Sequence, residues 1–205
     1  MKLPLFVWTW RAIWFNSFDD HFNDADYSAW TVTQEWGSWA SVTETWTIIK
    51  ALSYGSWGDW HWARITKSII WQSWDWEAKF LINWSNNAVN AMWQLQMGVG
   101  LDNGDTFSSR YSDGHPSYYV KQRISLKNWV YITNDILSTQ YSVTWQEIKI
   151  TKVWTTVTFY IDDVQFWATS TTSWNINEVY GFFTQLSNYA PLPVQEIDRI
   201  QINNI

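Results

Sequence analysis

Two groups of side chains in this chain are arranged as a binding site would need, and a third is not. In the run "LDNGDTF", Asp102, Asn103 and Asp105 offer oxygen atoms around a glycine bend. Hard oxygen donors so spaced suit Ca²⁺, although the run lacks the distal glutamate of an EF-hand loop. The same residues are also what a tight turn selects, so cation site and plain turn both stand as readings. The second group consists of polar residues at every other position: Glu77 and Lys79 in "WEAKF", Gln94 and Gln96 in "WQLQM", and Tyr119, Lys121 and Arg123 in "YYVKQRI". Planar amides, cations and a phenol beside aromatic rings are groups able to hydrogen-bond a hydroxyl-rich ligand. The alternative for these rows is a solvated sheet face with cross-strand charge pairs, such as Glu77 with Lys121 or Arg123. The third group is histidine. His21, His61 and His115 lie far apart beside no nucleophile pattern, and the chain has no Cys, which excludes disulfides, thiol nucleophiles and Cys-based zinc sites.

Strands must position these groups. In "WEAKFLINW", Trp76, Ala78, Phe80, Ile82 and Trp84 alternate with Glu77, Lys79 and Asn83. In "QLQMGVGL", Leu95, Met97, Val99 and Leu101 alternate with Gln94 and Gln96. Period-2 alternation is the mark of a strand with one buried face. About a dozen such runs, β-branched or aromatic and bounded by Gly, Asn, Asp, Ser or Pro, fill the chain, and none holds a helical period for three turns. The reading is all-β: two antiparallel sheets stacked as a sandwich. A length of 205 residues fits one domain, read as 18–205, with 1–17 a leader, linker or edge segment. The net charge of −6 argues against a nucleic-acid backbone as partner. No run of about 20 apolar residues predicts a membrane-spanning helix.

Glycine and tryptophan are out of balance, at 8 and 20 residues. Trp30, Trp57, Trp76, Trp84, Trp145 and Trp174 sit in or beside strand-like runs, and burial is expected for Trp30, Trp76, Trp84 and Trp145. The other fourteen stand in turn-like contexts such as "QEWGSWAS", "GDWHWAR", "LKNWVY", "KVWTT" and "QFWATS". Read as glycine, these become ordinary loops of a β protein. Trp10, Trp36, Trp39, Trp60, Trp62, Trp154 and Trp167 are therefore expected exposed, in loops and turns. A gene in which UGA encodes glycine, translated as though UGA were tryptophan, would produce this pattern.

Three segments carry a family resemblance. "SFDDHFNDADYSAWTV" resembles the opening strand of concanavalin A-like lectin/glucanase (LamG-like) jelly rolls. "VTWQEIKITKVWTTVTFYIDDVQF" is similar to their late hairpin pair, and "VQEIDRIQINN" to their closing strand, which pairs with the first. At the hairpin the family has glycine where this chain has Trp154. The resemblance, spanning about 18–205, implies a jelly roll on a surface or secreted protein, with the ligand across the polar side of a concave sheet or at its rim. It also implies a structural Ca²⁺ joining first and last strands, with Asp19 or Asp20 and Asp198 as ligands. Glucanases of this superfamily carry Glu-x-Asp-x-x-Glu on one strand, where alternation aligns the carboxylates. Here "EIDRIQ" supplies Glu196 and Asp198 but Gln201, which cannot act as a general acid. The expectation is a non-catalytic carbohydrate-binding or adhesive module. A structural module of a larger surface or virion assembly, or a glycoside hydrolase or lyase with a non-standard site, is the alternative.

Overall fold

A computed structural model describes residues 18–22, 30–34, 40–45, 48–53, 61–71, 75–85, 93–113, 121–137, 143–172, 175–185 and 194–205. Among them lie fifteen strands. They are β1 (Phe18–Asp20), β2 (Thr31–Gln34), β3 (Ala40–Thr45), β4 (Ile48–Ser53), β5 (His61–Trp71), β6 (Trp76–Ser85), β7 (Trp93–Leu101) and β8 (Thr106–Asp113). The rest are β9 (Lys121–Lys127), β10 (Val130–Leu137), β11 (Val143–Val153), β12 (Thr156–Ile161), β13 (Val164–Ser170), β14 (Ile176–Gln185) and β15 (Val194–Asn204). Residues 1–17 lie outside the described set.

All pairings are antiparallel. One sheet, sheet A, has the order β13-β12-β11-β6-β15-β4-β3, with β1 also paired to β15. Sheet B has the order β10-β9-β8-β7-β14-β5-β2. The first and last strands are neighbours as expected, with Phe18 opposite Ile202 and Asp20 opposite Ile200. The closing strand is nevertheless central, held by β6 on one side and by β4 and β1 on the other.

The alternation read from sequence produces the core. Trp76, Ala78, Phe80, Ile82 and Trp84 are fully buried on the inner face of sheet A, joined by Ile148, Ile150, Ile197, Ile200 and Ile202. Leu95, Met97, Val99, Phe107, Tyr111, Val179 and Phe183 answer from sheet B. Trp84 meets Tyr111 across the sandwich with ring centroids 5.7 Å apart. Burying such side chains contributes about 1.5–3 kcal/mol each and dominates the stability of the fold. Gly181 belongs to the same inner face: a Cβ there would stand 2.6 Å from Ile197 Cδ1 and 3.1 Å from Ile65 Cγ1.

The tryptophans sort into two populations, with corrections to the sequence reading. Trp30, Trp76 and Trp84 are buried, as expected. Trp154 is 77% exposed in the β11–β12 turn. Trp145 is not buried: it is 46% exposed, at a register shift between Val143 and Gln146 where the strand bulges away from β6. Trp62, Trp71, Trp93 and Trp167 lie within strands rather than turns. Trp167 is 42% exposed on edge strand β13, and Trp62 packs on Phe182 at 5.8 Å. Trp10, Trp36, Trp39, Trp57, Trp60 and Trp174 lie outside the described residues.

Candidate functional site

Sheet register carries the predicted site residues to different places. Glu77 and Lys79 point outward from sheet A, where Lys79 Nζ lies 3.1 Å from Glu77 Oε1 and Asn203 Nδ2 donates to the same oxygen at 2.9 Å. Gln94 and Gln96 belong to β7 in sheet B, on the opposite side of the sandwich, so one shared face for all seven residues is not what the fold builds. The cross-strand pairing of Glu77 with Lys121 or Arg123 is likewise corrected, because β6 and β9 belong to different sheets. Lys121 and Arg123 take register positions opposite Asp113 and Tyr111. Tyr111 is in the core, whereas Gln96 pairs with Arg110 and Arg110 with Ile124, so Lys121 and Arg123 are out of phase with Gln96. Tyr119 lies outside the described residues.

Of the acidic residues expected to ligate Ca²⁺, Asp19, Asp20, Asp102 and Asp105 accept hydrogen bonds from protein donors. Asp19 accepts both nitrogens of a fork from Arg199, with Nε to Oδ1 at 2.8 Å. Asp20 accepts from Trp30 Nε1 at 2.9 Å and from the backbone N–H of Phe22 at 3.0 Å. Asp198 sits at the register shift between Ile197 and Arg199, and burial pushes its carboxyl above the ordinary range. Between the first and last strands, where the resemblance implies a cation, Asp19 pairs with Arg199. At the β7–β8 turn, Asp102 accepts from Asn175 Nδ2 at 2.8 Å. Asn103 Oδ1 accepts from the Asp105 N–H at 2.9 Å. Asp105 accepts from Thr171 Oγ1 at 2.9 Å and Asn128 Nδ2 at 3.0 Å, tying three loops together. Among the described residues, no group of three His, Cys, Asp or Glu side chains converges as a metal site would require.

Asp105→Ala is therefore expected to cost about 1–3 kcal/mol, by orphaning donors from three segments. Thermal melts in EDTA and in calcium should show the same loss; a loss confined to calcium would show that Asp105 ligates a cation. The same carboxylates set an acid limit. The hydrogen bonds from Arg199 hold Asp19 below its ordinary value of 3.8, despite opposing desolvation. For Asp105, desolvation pushes upward but is outweighed by hydrogen bonds from Asn128, Thr171 and Asn103 and by the charge of Lys127, leaving it lowered from 3.8. A depressed folded pKa stabilises above the unfolded value and is lost as pH falls through the folded one. Stability should hold above about pH 4 and fall below it. Asp19→Asn should flatten that fall, as read by melting temperature against pH.

The outer face of sheet B gathers polar and aromatic side chains into a candidate site. Register aligns Arg64 (β5), Phe182 (β14), Gln96 (β7) and Arg110 (β8) in one row, and Thr66, Tyr180, Gly98 and Ser108 in the next. Gly98 lies between Tyr180 and Ser108, so the face is shallow there. Arg64 Nη2 donates to Glu178 Oε1 at 2.8 Å, and its guanidinium lies 4.9 Å from the centroid of the Tyr180 ring. Gln96 Nε2 donates to Ser108 Oγ at 2.8 Å. Trp129, from the β9–β10 turn, reaches across β8 and β7 to stack on Tyr180 at 6.1 Å and to meet Phe182 edge-on at 6.2 Å.

This face keeps unused polar capacity. Among the described residues, Arg64 Nε, Gln96 Oε1 and the Tyr180 hydroxyl are buried and meet no hydrogen-bond partner. Burial raises the Tyr180 hydroxyl above its ordinary pKa; Ser108 and Gln96 are near enough to oppose the rise, but neither completes a bond of proper distance and angle. Each buried orphan costs about 1–3 kcal/mol, so a ligand hydroxyl that satisfies two of them is favoured there. Sequence reasoning named Gln94 and Gln96 but missed Arg64, Ser108, Glu178 and Tyr180. Alternation in "WARIT" and "EVYGFF" was the available signal, since Arg64 alternates with buried Ala63 and Ile65, and Tyr180 with buried Val179.

Two stacked antiparallel sheets in this order define a concanavalin A-like jelly roll, an all-β sandwich. The chain is similar in fold to the CBM2 module of the evolved Dit of Lactobacillus casei BL23 phage J-1, with a TM-score of 0.70 at 12% identity over 93% of this chain and 98% of that one. It is similar also to a Bacillus licheniformis beta-glucanase, with a TM-score of 0.55 at 12% identity over 92% of this chain and 98% of that one. The carbohydrate recognition domain of Emp47p gives a TM-score of 0.56 at 12% identity over 92% and 94% of the respective chains. No family model matches the sequence, and no curated protein matches it.

Proposed function

We propose that this chain is a non-catalytic carbohydrate-binding module of a larger surface, secreted or virion protein, and that the outer face of sheet B holds the glycan. The observation that carries this reading is the set of buried, unpartnered polar atoms on Arg64, Gln96 and Tyr180, placed beside the rings of Tyr180 and Phe182 on β14. A pyranose offers adjacent hydroxyls that both donate and accept, together with an apolar ring face, and so matches donors, acceptor and aromatic surface at once. Retaining hydrolysis would need two carboxyl groups about 5–5.5 Å apart. Among the described residues of β5, β7, β8 and β14, the outer positions hold one carboxylate, Glu178, and it is engaged by Arg64. No helix among the described residues is long and apolar enough to cross a membrane. Membership of a virion is supported by the phage Dit module among the similar folds.

The test is a glycan array followed by calorimetry on the best ligand. Arg64→Ala and Gln96→Ala should each weaken binding about tenfold or more, the effect of losing roughly 1.4 kcal/mol. Glu77→Ala, on the far sheet, should leave affinity unchanged. Equal affinity in all three folded variants would move the site off sheet B, and release of reducing sugar by the unaltered chain would favour the hydrolase reading.

A further inference from the structure

Seven non-glycine residues among those described have positive φ. Three are Asn128, Asp162 and Asp163, types that tolerate the left-handed region. One is Phe22, and the other three are all tryptophan: Trp129 at 65°, Trp145 at 51° and Trp154 at 55°. The left-handed conformation costs a residue with a Cβ about 1–2 kcal/mol.

Each of these tryptophans occupies a different glycine-specific geometry. Asn128 and Trp129 form a two-residue loop between the paired residues Lys127 and Val130, both with positive φ. That is a type I′ hairpin, whose preferred sequence is Asn-Gly. Trp154 is the first residue of the two-residue loop between paired Val153 and Thr156, and it alone has positive φ there. That pattern is type II′, with glycine preferred at the first position. Trp145 lies in the register shift between Val143 and Gln146, a bulge whose left-handed residue is normally glycine. All three indoles are exposed, at 50%, 77% and 46%, so core packing gives no reason for their presence. Trp30, Trp76 and Trp84 are instead buried and free of this backbone conformation.

The geometry points to glycine at positions 129, 145 and 154 in the protein as its own source makes it, each encoded by a UGA codon read there as glycine and written in this chain as tryptophan. For position 129 the substitution reaches the candidate site, a consequence that rests on the proposed function. The Trp129 ring stacks on Tyr180 and meets Phe182 edge-on. With glycine at 129, those rings are open to a flat ligand, and the stacking surface for a sugar is Tyr180 itself.

Six codons decide the main inference. UGA is expected at 129, 145 and 154 and UGG at 30, 76 and 84; UGG at the first three overturns it. In the chain as written, Trp145→Gly and Trp154→Gly should each raise the melting temperature by about 2–8 °C. An unchanged or lowered melting temperature in both also overturns it. For the site, Trp129→Gly should bind the array glycan at least several-fold more tightly than the Trp129 chain. Equal affinity overturns the opening of the site while leaving the codons to decide glycine. Binding by neither chain, with UGA at the three positions, counts against the proposed function alone.

Discussion

Truncating Trp84 to alanine should destabilise the fold by about 3–5 kcal/mol, the range for a large aromatic removed from a core. Trp84 has no exposed surface and lies on β6, which is hydrogen-bonded to β11 on one side and β15 on the other. Its ring meets Tyr111 of the facing sheet, so truncation opens a cavity between the two sheets rather than at a rim. Neither sheet can collapse into that cavity without breaking pairing with a neighbour. Chemical denaturation should show a lower midpoint with an unchanged slope. Trp154→Ala in the same assay should cost nothing comparable, because its indole is 77% exposed. Equal losses for the two would mean that the division of tryptophans into core and turn is mistaken.

Gly98→Val is expected to be nearly as damaging, by overpacking rather than by a cavity. A Cβ at residue 98 would stand 2.4 Å from the Phe107 carbonyl oxygen and 2.6 Å from Ser108 Cβ. The first of these atoms is backbone of the paired strand and cannot rotate away, so β7 and β8 must separate locally. Overpacking costs about 1–3 kcal/mol and more where backbone is forced to move. Because Gly98 lies between Tyr180 and Ser108 on the candidate face, the variant should also lose glycan affinity while still folded. Calorimetry below the melting temperature checks this. A folded Gly98→Val protein with full affinity would place the ligand away from β7.

The contrast between these two residues shows how far local pattern reaches. Trp84 was legible as core because it ends a run in which every second residue is apolar, and in a strand that alone assigns a face. Gly98 was legible only as a strand glycine. That it admits a neighbouring backbone depends on β8 pairing with β7 in one register, which no local spacing states.

The all-β class, the inner face of β6 and β7, the pairing of the first and last strands, and the turn chemistry around Asp102, Asn103 and Asp105 were legible in the order of residues alone. All of these follow from period-2 alternation, from turn residues, or from segments resembling a known fold. Tertiary structure decided which polar residues share a surface. Glu77 and Gln96 each oppose an apolar row, yet they emerge on opposite sides of the sandwich because β6 and β7 belong to different sheets. Arg64, Gln96 and Tyr180 meet because β14 pairs with both β5 and β7, bringing together residues far apart in the chain. It also decided that Trp145 stands at a bulge with positive φ, although its flanking run reads as ordinary strand. The reason is physical: a strand's side-chain direction is set by its own backbone, whereas its neighbours and register are set by hydrogen bonds to distant segments.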